Sequence, residues 1–200
     1  PDVVGLSIAT RSDCFTKEIY DYLEKLNKRT FLTIELGLQS MHDETLRFIN
    51  RGHTKENFEN CVKELQKRNI FTVVHIINGL PHETKEMMIE TAKYLNSLNI
   101  NGLKIHMLHI LKNTPLATYY QKHPFKILSK EEYIDIVCEQ LTYLKPEIVI
   151  ERITGDPTKE DLIAPTWLLK KFCVLNDIDK NLQRKNLYQG CKLPKNTQYL

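Results

Sequence analysis

The chain has 200 residues, 42% hydrophobic and 26% charged, with a net charge of +3. That balance fits one globular domain long enough to bury a core, and it excludes collagen-like and disordered chains. No stretch approaches the roughly eighteen apolar residues a membrane-spanning helix needs, and residues 1–10 lack the basic start of a signal peptide, so a cytoplasmic protein is expected. Charge is unevenly spread: residues 1–158 hold 20 Lys/Arg against 21 Asp/Glu, and residues 159–200 hold 8 against 4. The basic tail suits a polyanion such as nucleic acid, but such tails also occur as plain solvated surface. The five cysteines are spaced by 47, 77, 35 and 18 positions, which suits reduced thiols and forms no metal motif.

In chain order, residues 3–9 form a short β-branched run that reads as a buried strand. A chain that opens inside a strand and without Met is expected to be a cut piece. Ile19, Tyr20, Leu23 and Leu26 fall at helical spacing behind Thr16, a suitable N-cap. A second strand, 31–38, precedes a loop containing Arg51-Gly52-His53, and Thr54 opens a helix with Phe58, Cys61, Val62 and Leu65 on its apolar face. The unit repeats with a strand at 70–77, stopped by Gly79-Leu80-Pro81, and a helix over 84–98. It repeats again with a strand at 103–110 and a helix over 129–144, where Ser129 and Glu132 have capping-box spacing.

Near-continuous apolar strands alternating with helices predict a parallel α/β layer with right-handed crossovers. A last short strand is expected at 147–153, before the turn Thr154-Gly155-Asp156-Pro157. Beyond Pro165, the spacing of Leu168, Phe172, Leu175 and Leu182 predicts one buried stripe of a covering helix whose other side carries Lys170, Lys171 and Lys180. Residues after Gln189 read as a tail.

Ligand sites in parallel α/β folds lie at the carboxyl ends of the strands. The polar residues there are Thr10-Arg11-Ser12-Asp13, Gly37 to Ser40, His75 with Asn78-Gly79, and His106 with His109. Glu35, inside an apolar strand, requires a partner, either a ligand or an internal arginine or lysine, because an unpaired buried carboxylate is costly. The Gln39 amide can both donate and accept, and the Arg51 guanidinium can grip a carboxylate or phosphate. Strand parity argues against a zinc site from His75, His106 and His109; a core histidine bonded to a carbonyl is the expected role for at least one of them. No metal ligand is therefore assigned. Neither a dinucleotide fingerprint nor a phosphate loop is present.

Several of these words resemble one family, the radical S-adenosylmethionine enzymes, in the branch that holds the catalytic subunit of Elongator and YhcC-like proteins. They are Thr10-Arg11-Ser12-Asp13, the segment Ile34-Glu35-Leu36-Gly37-Leu38-Gln39-Ser40 with Leu46 and Asn50-Arg51-Gly52-His53-Thr54, and His75 through Gly79-Leu80-Pro81. Leu103-Lys104-Ile105-His106, Thr114-Pro115-Leu116 and Arg152-Ile153-Thr154-Gly155-Asp156 agree as well. Ser12 departs from the proline usual in the first of these segments.

The resemblance implies part of a (β/α)6 TIM-like partial barrel, about its last four βα units, over residues 1–153, with a helical extension and tail over 154–200. It also implies S-adenosylmethionine bound to a 4Fe–4S cluster and cleaved to a 5′-deoxyadenosyl radical that abstracts hydrogen from substrate. The family's CxxxCxxC loop and the glycine-rich second strand have no counterpart in this sequence, which implies either a truncated piece whose longer parent holds cluster and cofactor or a degenerate family member, the start inside a strand favouring the first. This chain alone is expected to bind neither and to be inactive. By resemblance, Glu35, Gln39, Arg51, His75, Ile77 and Gly79 face S-adenosylmethionine, with Gln39 toward its ribose or methionine part and Arg51 toward its carboxylate. The implied reaction is modification of the wobble uridine of tRNA, held through Lys170, Lys171, Arg184 and Lys185. The alternatives are a coproporphyrinogen-type oxidation or a non-catalytic half-barrel that docks on a partner. An open barrel edge implies self-association.

Overall fold

The computed structural model describes residues 3–194. Five strands form one parallel sheet: β1 (Gly5–Thr10), β2 (Phe31–Gln39), β3 (Phe71–Asn78), β4 (Gly102–Met107) and β6 (Val149–Arg152), side by side in that order. Between them run α1 (Lys17–Asn27), α2 (Asp43–Phe48), α3 (Lys55–Lys67), α4 (Lys85–Leu95), α5 (Pro115–Lys122) and α6 (Lys130–Tyr143), and α7 (Lys171–Arg184) follows. The expected alternation of strand and helix is present, and the architecture is α/β. A second small sheet, β5 (Ile110–Leu111) against β7 (Leu162–Ala164), is antiparallel.

The helix starts follow from local chemistry. Thr16, Thr54, Thr84, Thr114 and Ser129 each accept a hydrogen bond from the backbone N–H three residues on, satisfying a donor that the first helical turn leaves free. Ser129 and Glu132 close the capping box in both directions.

One face of the sheet makes the core. Leu32, Ile34, Leu36 and Leu38 of β2, Val74 and Ile76 of β3, and Leu103 and Ile105 of β4 meet Phe58, Val62 and Leu65 of α3, Ala92 and Leu95 of α4, and Tyr133 and Val137 of α6. Each of the Val, Leu, Ile and Phe side chains among them contributes roughly 1.5–3 kcal/mol by leaving water. Leu168, Val174 and Ile178 join the same core, so the helical extension is packed onto the barrel strands. The buried Asn78 and Gln140 amides satisfy each other at 2.8 and 2.9 Å, and Gln140 also donates to Met88 O.

Four expectations need correction. The fourth strand ends at Met107 rather than at residue 110, so His109 is not on it. The Leu108 N–H still follows the sheet, donating to Asn78 O at 2.9 Å, and the apolar run continues through the break without glycine or proline to mark it. The stripe of the last helix is also displaced. Phe172 is 76% exposed, and Val174, Ile178 and Asn181 are buried instead. A 3-10 turn over Thr166–Lys170 has about three residues per turn, so spacing counted through it at 3.6 lands on the wrong face.

The tail expected after Gln189 is, over residues 190–194, fastened to the last turn of α6, Gly190 N–H donating to Leu141 O and Lys192 N–H to Thr142 O, and its remainder lies outside the described residues. Finally, none of His75, His106 or His109 has a carbonyl partner among the described residues. His53 bonds to a carbonyl instead, its Nδ1–H directed at Thr54 O at 3.3 Å.

Candidate functional site

Alternation along a strand sends every second side chain away from the helices. On this concave face, the parallel register sets Glu35 beside Ala9 and Val73, His75 beside Gly37 and Lys104, and Ile77 beside His106. Long polar side chains then reach across the strands. Glu35 accepts from Ser7 Oγ at 2.8 Å, His75 Nε2 at 2.7 Å and Lys104 Nζ at 2.5 Å, and Lys104 lies 3.5 Å from Glu151. His106 Nε2 is 3.1 Å from His75 Nδ1. The internal cation expected as one partner of Glu35 is Lys104.

Burial pushes the Glu35 carboxyl up, but the bonds from Lys104, Ser7 and His75 outweigh it and hold the group down at about 2. His75 is lowered by burial, against the pull of Glu35. His106 is lowered to about 4 by burial and by the neighbouring charges of His75, Arg152, His109 and Lys104. Near neutral pH the row therefore holds an ionised carboxylate, a lysine and two neutral imidazoles.

At the carboxyl end of β2 a bulge between Gly37 and Gln39 breaks the register, and Gln39 takes φ 70°. Gly37 has no side chain where one would run into Arg51 Nη2 and Gln39 Nε2, so both groups converge over its α-carbon. Arg51 Nη2 donates to Gly37 O at 2.8 Å and Arg51 Nε to His53 Nε2 at 3.0 Å, which fixes the guanidinium plane. The loop after β1 closes one side. Arg11 forks onto Asp13 at 2.9 and 2.6 Å and lies 3.7 Å from where a side chain on Gly52 would begin. Buried Ser40 donates to half-buried Glu83, whose carboxyl is pushed up by burial, and this ties the β2 loop to the β3 loop.

The structure brings Glu35 together with His75, and Gln39 together with Arg51. Ile77 lies on the concave face next to His106. Gly79 joins neither group: it turns the chain past β3 at φ 87°, packed against Leu128 and Leu108. Sequence reasoning missed Lys104, and the available signal was the two-residue spacing of Lys104 and His106 in an otherwise apolar strand.

The profile of the Radical SAM superfamily matches residues 2–95, and that of the Radical_SAM C-terminal domain matches residues 100–184. The chain belongs to the radical SAM superfamily, in the branch of YhcC and Elongator complex protein 3. It is 47% identical over 189 residues to the uncharacterized protein YtqA of Bacillus subtilis, covering 94% of this chain and 59% of YtqA. It is 27% identical over 157 residues to a tRNA uridine(34) acetyltransferase of Methanocaldococcus jannaschii, covering 76% of this chain and 28% of that protein. In structure it is similar to Elp3 of Methanocaldococcus infernus, with a TM-score of 0.81 at 22% identity, over 93% of this chain and 43% of the other. That likeness establishes the fold, a partial barrel of the radical SAM type. The chain spans about 60% of the length of YtqA.

The family's two cofactors fit the described residues differently. Gln39 and Arg51, converging over a glycine at the strand ends, offer an amide and a fixed cation suited to the amino-acid part of S-adenosylmethionine. The cysteines do not fit an iron–sulfur cluster. Cys14 and Cys173 are exposed, Cys61 and Cys138 are buried among the helices, and among the described residues no three His, Cys, Asp or Glu side chains converge on a metal position. No helix among the described residues is long and apolar enough to cross a membrane.

Proposed function

We propose that this chain supplies the carboxyl-terminal strands of a radical SAM enzyme and one wall of its S-adenosylmethionine site. The observation that carries the reading is the convergence of Gln39 and Arg51 over Gly37 at the strand ends. When bound, S-adenosylmethionine supplies hydrogen-atom abstraction, and the cluster that cleaves it is held by residues of a longer parent. In that parent Arg51 pairs with the cofactor's carboxylate, Gln39 hydrogen-bonds its polar part, and Glu35, His75 and Ile77 line the floor. The isolated chain is expected not to cleave the cofactor.

Gly37→Ala tests the site with little threat to the fold, because the added methyl meets only the ends of two long side chains. In the cluster-bearing parent it is expected to displace Gln39 and Arg51 and weaken S-adenosylmethionine binding about tenfold or more, the loss of one charge-assisted bond. Equilibrium dialysis showing wild-type affinity for both Gly37→Ala and Arg51→Ala would remove the assignment.

The substrate we infer is a tRNA wobble uridine, supported by the basic tail and by the relative named for tRNA uridine 34. Lys171 and Lys185 now pair with Asp156 and Asp135, both at surface positions where phosphates compete readily. A gel shift with tRNA at low salt is expected, weakening as salt rises and on neutralising Lys170, Lys171, Arg184 and Lys185. A complex insensitive to both would contradict phosphate binding by this face.

Self-association is also expected of the isolated chain. Strand β1 pairs with β2 on one side only among the described residues, and Val3 and Val4 beside it are 82% and 88% exposed. Light scattering at rising concentration checks this, and a monomer throughout would refute it.

A further inference from the structure

The cofactor reading places His75 on the floor of its site and leaves unexplained His106, which is bonded to it in the middle of the concave face. The planes of the two rings are nearly parallel, 16° apart, with centroids separated by 5.1 Å and Nε2 of His106 at 3.1 Å from Nδ1 of His75. At that distance the two nitrogens share a hydrogen bond. Direction follows from the far end. A carboxylate only accepts, so the 2.7 Å contact with Glu35 requires the proton on His75 Nε2. A neutral His75 then has a lone pair on Nδ1 and accepts from His106 Nε2–H, which leaves the lone pair of His106 on Nδ1. No described residue bonds to that nitrogen.

The charged and titratable neighbours of His106 are His75, Arg152, His109 and Lys104, and all of them disfavour a proton on it. Lys104, two residues back on the same face, is a donor held by Glu35 and Glu151. Ile77, directly beside His106 in register, gives an aliphatic surface. An acceptor, a nearby donor and an apolar platform complement a planar ring that carries N–H beside C=O.

We propose that the Glu35–His75–His106 chain locks His106 in its Nε2–H tautomer, so that His106 Nδ1 is the hydrogen-bond acceptor for the imide N–H of a uracil ring on the concave face. The identity of the ring rests on the uridine reading above, and the lock itself rests on the hydrogen-bond geometry with a neutral His75.

Nitrogen-resolved NMR of the histidine-labelled chain at pH 7.5 reads the tautomers directly. Both His75 and His106 are expected protonated on Nε2 and bare on Nδ1. A His106 protonated on Nδ1, or cationic, overturns the proposal. Uridine and 3-methyluridine are then titrated in. Uridine is expected to shift the Nδ1 resonance of His106, and the methylated base, lacking the donor, to bind about tenfold more weakly. Equal responses, or none to either, overturn the site as an imide acceptor.

His75→Phe removes the acceptor that fixes the tautomer and is expected to mix the two forms and weaken uridine about tenfold. His75→Gln, whose carbonyl can take the same bond, is expected to keep both properties. If the phenylalanine variant does not fold, His106→Gln provides the loss variant against the same control. None of these readouts needs S-adenosylmethionine or a cluster, so their failure leaves the cofactor assignment standing, and a failed cofactor assay leaves this one standing.

Discussion

Lys104→Met is expected to destabilise the chain by about 3 kcal/mol at pH 7, read as a lower urea midpoint at unchanged slope. Both partners of the Lys104–Glu35 pair are only 15% exposed, and Lys104 also reaches Glu151, so methionine fills the space of the stem but leaves two carboxylates without their shared cation. Removing one member of such a pair costs more than the pair contributes, because the remaining charge keeps its desolvation without its partner. Glu35→Gln in the same background should therefore recover much of the loss, since a neutral amide can still bond Ser7 and His75. A single variant with the wild-type midpoint would show that the row does not hold the sheet together.

Acidification should weaken the fold in two separable stages. His106 has a folded pKa of about 4 against an ordinary 6.5, so between those values the unfolded chain binds a proton that the folded chain refuses. Stability is accordingly full above pH 6.5 and falls as pH drops toward 4, by about 3 kcal/mol for a shift of this size. His75 is shifted in the same direction and steepens the same window. Glu35 acts lower down: held at about 2 against an ordinary 4.5, it contributes stability above pH 4.5 that is lost as pH falls toward 2. Urea midpoints measured from pH 8 to pH 3 check the order of events. His106→Asn should flatten the upper stage and leave the lower one, and an unchanged upper slope in that variant would assign the acid sensitivity elsewhere.

The same physics explains why some features were readable in advance. Helix caps are contacts between residues three apart, so Thr16, Thr54, Thr84 and Ser129 could be placed from the chain alone. Apolar strands of β-branched residues between amphipathic helices likewise specify a parallel sheet through local pattern. Where the local signal is weak, reading failed. The six-residue α2 has no side-chain cap, and β5 and β7 are two and three residues long. The 3-10 turn before α7 altered the period without altering the composition.

The candidate site divides along the same line. Glu35 demanded a partner on energetic grounds that need no coordinates, and Gln39 and Arg51 stand in one contiguous stretch around the loop after β2. Which partner Glu35 has depended on positions 28, 40 and 69 residues away, brought to its two oxygens as Ser7, His75 and Lys104. Strand register decides that, and register is set by packing the opposite, apolar face against helices rather than by the polar residues themselves. The alternation of elements, the caps and the family are therefore legible in local pattern and short motifs. That a carboxylate, a lysine and two histidines form one row is visible only in the folded chain, because hydrogen bonds between strands join residues with no local relation along it.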